Sequence, residues 1–268
     1  MSFTTDTQAK LNMGGVVTLP PGRFTLDPGG LVIPPNAQLI GAGQSTTLME
    51  LPAGVDTTAI TFRPGFQGAK VENLTVYGAA GPAVKSPTIT LPADCIGYIM
   101  RDVTAWFGAR TLDISSVDCL IENCNLGVAL GNAAIWSHGA NWWVRCKIDA
   151  AADASQYPLA AWGFNQRYSP ADSIVENYFV GCDFSGYTGG GVYINDPLHQ
   201  AATKFTGCVV GSGEVVVLGA KWTSFSDSEF GCPINNQGTS PITVANSFGV
   251  NGPIQMIGPN FHASNNVP

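Results

Sequence analysis

Asp183, Glu229, Lys147 and His138 are the side chains of this 268-residue chain best suited to catalysis. Two carboxylates held apart across a gap wide enough for a water can split a glycosidic bond. One protonates the leaving oxygen and the other activates the water. A lysine or histidine beside them can carry the proton. A second set is aromatic. Trp136, Trp142, Trp143 and Trp162 fall within 27 residues, with Tyr157 and Tyr168 alongside. An exposed indole or phenol ring offers a flat apolar face on which a sugar ring can stack. Both sets also have a plain structural reading. The charged residues could be a solvated strip, and the aromatics could cover the core or pack between subunits.

Other chemistries find less support. Seven cysteines (95, 119, 124, 146, 182, 208 and 232) include no Cys-x-x-Cys pair, so no metal centre, redox centre or cofactor is expected. An odd count without an apolar leader speaks against a disulfide framework, and buried free thiols serving as small apolar side chains are the expectation. Gly41-Ala42-Gly43 and Gly189-Gly190-Gly191 precede no helical pattern, so neither cradles a phosphate.

A short repeat would position these side chains. It reads apolar, any, Asn/Asp/Gly, apolar or Cys, polar, apolar. Copies are Val71-Glu72-Asn73-Leu74-Thr75-Val76, Met100-Arg101-Asp102-Val103-Thr104-Ala105 and Ile121-Glu122-Asn123-Cys124-Asn125-Leu126. Others centre on Cys146, Cys182, Cys208 and Ser228, with a weak copy at Val244-Ala245-Asn246-Ser247. With the fourth residue as anchor, the intervals are 29, 21, 22, 36, 26 and 20 residues. The copy near 180 fits with its anchor at either 178 or 182.

The anchor and the second residue after it are apolar, with a polar residue between, which is the alternation of a strand with one buried face. The apolar residue three before the anchor breaks that period. It can point inward only if the chain turns between the two. The turn falls on Asn73, Asp102, Asn123, Gly181, Gly207 and Asp227, types that tolerate a left-handed backbone. Strand, one-residue corner and strand, recurring about every 21 residues, describe one coil of a parallel β-solenoid. The anchors then stack inside.

Just after the anchors runs an outward row: Thr75, Thr104, Asn125, Lys147, Asp183, Val209, Glu229. Lys147 and Asp183 become neighbours, and Glu229 lies two coils from Asp183, roughly 10 Å. Glu72, Arg101 and Glu122 alternate in sign as a surface ion-pair ladder. Trp143 is inward, which turns Trp142 outward. Tyr77 and Trp106 share a position and are expected to stack structurally. The long interval after Cys146 supplies a loop from Asp149 to Ser173 holding Tyr157, Trp162, Arg167 and Tyr168.

Composition agrees with this plan. The 32 Gly and 18 Pro exclude a helical chain, and 45% hydrophobic residues suffice for a core. The net charge of −7 disfavours nucleic acid. The longest unbroken apolar stretches, such as Val215-Val216-Val217-Leu218, are too short for a membrane span. The start, Met1-Ser2-Phe3-Thr4-Thr5-Asp6, has no basic n-region or apolar h-region, so export by a signal peptide is not expected.

The opening Gly14-Gly15-Val16-Val17-Thr18-Leu19-Pro20-Pro21-Gly22-Arg23-Phe24, followed by Leu39-Ile40-Gly41-Ala42-Gly43, resembles the first coils of pectate-lyase-like right-handed parallel β-helices. Such coils occur in bacteriophage tailspikes, minor tail proteins and polysaccharide-degrading enzymes. The resemblance implies an all-β, single-stranded right-handed parallel β-helix over 14–250, an arm or short cap over 1–13 and a tail over 251–268. It also implies a virion protein assembled in the host cytoplasm, as a homotrimer or with other virion proteins, and in contact with host polysaccharide. A depolymerase or a non-catalytic carbohydrate-binding module is the alternative. Ser137-His138-Gly139 and Val144-Arg145-Cys146-Lys147 only partly resemble the Gly-His-Gly and Arg-Ile-Lys motifs of pectin hydrolases. Such helices usually carry an amphipathic lid before the first Gly-Gly. Here only residues 6–13 are available, so the N-terminal mouth is expected to be covered by something else.

Overall fold

The computed structural model describes residues 2–66, 68–81, 83–127, 129, 133–149, 162–167, 176–186, 190–196, 202–211 and 213–266. Every strand pairing among them is parallel, and each coil carries three short strands. A leading strand such as Asn141–Val144 precedes the corner, and a trailing strand such as Lys147–Asp149 follows it. A back strand such as Ala133–Ser137 closes the triangle. In two coils the chain stays paired through the corner (Lys70–Tyr77 and Ile99–Trp106), so leading and trailing strands merge into one 19-stranded sheet. The back strands form a ten-stranded sheet. The fold is a right-handed parallel β-helix.

The corners are those the repeat marks. Asn73, Asp102, Asn123, Asp227, Gly181 and Gly207 all have φ between 52° and 62°. Arg145, Asn246 and Asn265 complete the row. The anchor of the ambiguous copy is Cys182, because Lys147 pairs with Asp183 and Trp143 with Phe179.

Three inward ladders fill the core. Three residues before the anchor, Trp143, Phe179, Phe205 and Phe225 stack nearly parallel at 5.3, 4.9 and 4.6 Å between ring centres. That spacing is the rise of one coil. Phe184 and Phe230, two after the anchor, meet this stack edge-on.

The anchor ladder is more polar than a thiol-as-hydrocarbon reading expects. All seven cysteines are buried and free. The Cys146 N–H donates to the Cys182 Sγ at 3.4 Å, and the Cys208 N–H to Ser228 Oγ at 3.2 Å. The Ser228 N–H continues to Ser247 Oγ, and Ser247 N–H to Asn266 Oδ1. A left-handed corner turns the following N–H inward, where a buried donor needs a partner. In these four rungs the anchor position of the next rung supplies it. Burial pushes the Cys95 and Cys232 thiols up to about 12, so both stay protonated near neutrality.

The N-terminal mouth is lidded by a helix of this chain, which starts before the 6–13 stretch expected to be available and takes the place of the cover expected from elsewhere. Helix α1, Phe3–Asn12, is capped by Ser2, whose side chain accepts the Thr5 N–H. Leu11 is fully buried, and Phe3 stacks on Phe24 at 4.4 Å. The Gln8 amide donates to the Val32 carbonyl and accepts the Val32 N–H, both at 2.8 Å. One side chain thereby satisfies backbone groups on the otherwise open edge of the first back strand.

Two boundaries differ from expectation. Coiling continues past residue 250: Phe261–Ser264 pairs with Ile242–Ala245, and Met256–Ile257 with the back strand before it. Asn265, with φ of 52°, and Asn266 supply the same corner chemistry as earlier rungs. The interval expected as a loop from 149 to 173 contains a back strand, Trp162–Arg167. A closed coil needs its third side, and Phe164 fills the core there.

The outward ion-pair ladder forms. Arg101 meets Glu72 at 3.4 Å and Glu122 at 2.7 Å, and Arg145 meets Glu122 at 2.6 Å. The Arg101 hydrogen bond, aided by the charges of both arginines, holds the Glu122 carboxyl below its ordinary 4.5. A lowered folded-state value adds stability that is full above 4.5 and lost as pH falls through that lowered value. Wild-type protein should therefore lose urea resistance below pH 4.5 more steeply than Arg101→Gln; equal slopes would refute the coupling.

Candidate functional site

The four charged candidates do not form one cluster. Lys147, Asp183 and Glu229 lie outward on the trailing face, in a single row. Lys147 is exposed, and Asp183 and Glu229 are half-buried. Lys147 and Asp183 occupy adjacent rungs, and Val209 alone separates the Asp183 rung from that of Glu229. Two rungs amount to roughly 10 Å. Asp183 accepts a hydrogen bond from Ser185 on its own strand. His138 sits at the opposite corner, between the back and leading strands, where its backbone N–H donates to the Ile114 carbonyl at 2.8 Å. The four-residue leading strand Asn141–Val144 lies between it and Lys147. At about 3.3 Å per residue, that separation is beyond direct contact.

The aromatic candidates also divide. Trp142 and Trp143 face opposite ways, as alternation requires: Trp143 is fully buried and Trp142 is 46% exposed on the leading face. Trp142 stacks on Tyr178 of the next rung, with ring centres 4.4 Å apart and planes 13° from parallel. Lys204, one rung farther, places its Nζ 5.1 Å from the Tyr178 ring and 4.9 Å from that of Trp222. The result is an aromatic ledge bordered by a cation. Trp136 and Trp162 belong to the back sheet. Trp136 is half-buried with the Arg110 guanidinium 3.9 Å over its ring, and Trp162 packs against Tyr193 at 4.9 Å. Tyr157 and Tyr168 lie outside the described residues.

A network behind the ledge fixes its orientation. The buried Trp143 indole N–H donates to Asn177 Oδ1 at 3.0 Å, and Asn177 Nδ2 donates to the Gly139 carbonyl at 3.0 Å. Asn177 immediately precedes Tyr178, so the strand that presents the ring is anchored from inside. Sequence reasoning found Trp142 but missed Tyr178, because their pairing depends on the register that the repeat left open.

One concavity was also missed. A cavity of about 500 Å³ opens on the trailing face of the first four coils, lined by Arg23, Glu50, Tyr77, Trp106 and Phe107 among others. Tyr77 and Trp106 meet edge-on at 5.9 Å and 61°, not as a structural stack. Among the described residues no cluster of His, Cys, Asp and Glu suits a metal ion.

No protein-family model and no curated protein sequence matches this chain. Solved structures do. Over its full length the chain is similar to the tailspike protein gp49 of Acinetobacter baumannii bacteriophage Fri1, a capsular polysaccharide depolymerase, with a TM-score of 0.72 and 13% identity. It spans 54% of that protein, about half its length. Pectin methylesterase PemA from Erwinia chrysanthemi is similar at a TM-score of 0.56 and 11% identity, over 95% of this chain and 88% of that one. A GH87 α-1,3-glucanase catalytic unit from Streptomyces thermodiastaticus follows at 0.50 and 15%, over 100% and 66%. All three are parallel β-helix proteins, and this chain shares that architecture with them.

Proposed function

We propose that this chain is the β-helical body of a bacteriophage tail or surface component, located in the virion, which holds host-surface polysaccharide against its side. The Trp142–Tyr178 ledge carries the reading: two parallel, stacked rings, one nearly half exposed, on a rigid sheet. An aromatic pair left open to water at that cost suits a partner with a flat apolar face, and a pyranose ring has one. The full-length likeness to a phage tailspike supports the virion assignment. A homotrimer, docked on other virion proteins, would repeat the ledge three times and raise avidity without new contacts.

The test is retention on immobilised capsular or cell-wall polysaccharide of candidate hosts. Trp142→Ala and Tyr178→Ala are expected to weaken retention by about tenfold or more, from the loss of one stacking contact. Full retention by both variants, or none by the wild type across a broad panel, would end the glycan reading. Sedimentation should give three times the chain mass, and a strict monomer would remove the trimer.

One observation favours a second reading, depolymerisation on the trailing face. Asp183 and Glu229 stand two rungs apart with Lys147 beside Asp183. That approaches the spacing that leaves room for a water between two carboxyls. Wild-type protein would then shorten the glycan it binds, and Asp183→Ala and Glu229→Ala would each slow shortening at least a hundredfold, within the range for loss of an acid or base. Unchanged glycan size with wild-type protein rules this reading out and leaves binding intact.

A further inference from the structure

We infer that the trailing-face cavity of the first four coils is a second sugar-binding site, separate from the ledge and selective for an uncharged pyranose. It shares with the function proposed above only the class of ligand. Its volume, about 500 Å³, lies within the range of small-molecule sites. Tyr77, Trp106 and Phe107 form its aromatic wall, with the Tyr77 ring 5.9 Å from each of the other two.

Two details mark this wall as held in place. Phe107 has a φ of 69°, a left-handed backbone that a bulky residue rarely adopts. Such strain persists only where surrounding structure enforces it. The Thr88 hydroxyl supplies the restraint, lying 2.9 Å from the Phe107 carbonyl and 3.2 Å from that of Trp106. A relaxed corner would carry Asn, Asp or Gly, as those following most leading strands do.

The adjoining rungs of the same face are polar and electrically balanced, with Glu50 in register beside Tyr77. Arg23 Nε and Nη2 both reach the same Glu50 oxygen, Oε2, each at 2.9 Å. Among the described residues, Glu50 makes its polar contacts through Oε2 and none through Oε1. Arg23, whose side chain is 64% exposed, keeps further N–H groups for a ligand. A free acceptor beside free donors suits neighbouring hydroxyls, which both donate and accept. The Glu50 charge neutralises Arg23 and repels an anion, so a carboxylated or sulfated sugar fits poorly. Aromatic rings beside paired hydrogen-bonding groups on the next rung are thus matched to a neutral ring with one apolar face.

The indole N–H signals of the six tryptophans give the test. Wild-type protein with ¹⁵N-labelled indoles is titrated with neutral oligosaccharides of glucose, galactose, mannose and N-acetylglucosamine, and with an oligogalacturonate. Signals are assigned by single Trp→Phe changes. The expected result is a saturable shift of the Trp106 signal with at least one neutral sugar. Binding read at Trp106 should weaken about tenfold or more in Tyr77→Ala and in Glu50→Gln, and be unaffected in Trp142→Ala. An unmoved Trp143 signal in each variant reports an intact core. Three results overturn the inference: no Trp106 shift with any neutral sugar, a shift unchanged in Tyr77→Ala, or a response to oligogalacturonate alone. A shift confined to Trp142 overturns this site while supporting the ledge.

Discussion

Phe205→Ala should cost about 3–5 kcal/mol of unfolding free energy, the usual range for removing a buried phenylalanine. Phe205 is fully buried in the middle of the aromatic ladder. It lies 4.9 Å from Phe179 and 4.6 Å from Phe225, within 11° of parallel to each, and meets Phe184 edge-on at 5.8 Å. Rungs above and below are fixed by ladder hydrogen bonds, so the cavity cannot collapse. In a solenoid each repeat touches mainly its neighbours, so the damage should stay local. Amides of strand Ala202–Thr206 and of its two neighbours should exchange faster, while those near α1 keep their protection. Phe248→Ala, at a ring 43% exposed, serves as the contrast and should change stability by less than about 0.5 kcal/mol. A urea midpoint for Phe205→Ala close to that of Phe248→Ala would contradict the packing described.

Gly139→Ala is expected to be worse, destabilising by more than about 4 kcal/mol and leaving little folded protein. A β-carbon at Gly139 would sit far inside contact distance of the Ser116 carbonyl oxygen on the preceding rung. Its obstacle is backbone already committed to the stack, which no rotamer change relieves. The Gly139 carbonyl also accepts the Asn177 side-chain N–H, so displacing the corner disturbs the support of Trp143. Soluble yield and near-ultraviolet circular dichroism read the outcome. A well-folded Gly139→Ala protein would show that the corner has slack. The Ser137-His138-Gly139 motif thus has a structural reason for its glycine, independent of any role for His138.

The repeat was legible because its corners impose a residue type. Asn73, Asp102, Asn123 and Asp227 stand where the backbone is left-handed, and a short periodic pattern with that signature admits few folds. Opposed faces of Trp142 and Trp143 followed from alternation alone. The lid was not legible, because it rests on single side chains: Ser2 as cap and Gln8 as a stand-in for a missing strand. Neither produces an apolar period. The cavity was hidden for a related reason. Its first two coils turn at Pro20-Pro21-Gly22 and Gly41-Ala42-Gly43, outside the repeat, so Arg23 and Glu50 could not be aligned with Tyr77 and Trp106. The thiols were read as apolar because residue type does not reveal a hydrogen bond to the next rung. The step from Cys208 to Ser228 to Ser247 at one position was the available clue.

The ladder hydrogen bonds run along the axis of the stack, across the direction of every strand. A thrust along that axis presses the rungs together and loads the close-packed rings, which resist shortening. A pull along the same axis is met one layer at a time, and the layers can peel in turn. The Gln8 latch, two hydrogen bonds closed by one side chain, therefore sits where peeling would begin at that end. Such a stack resists compression along its axis better than tension.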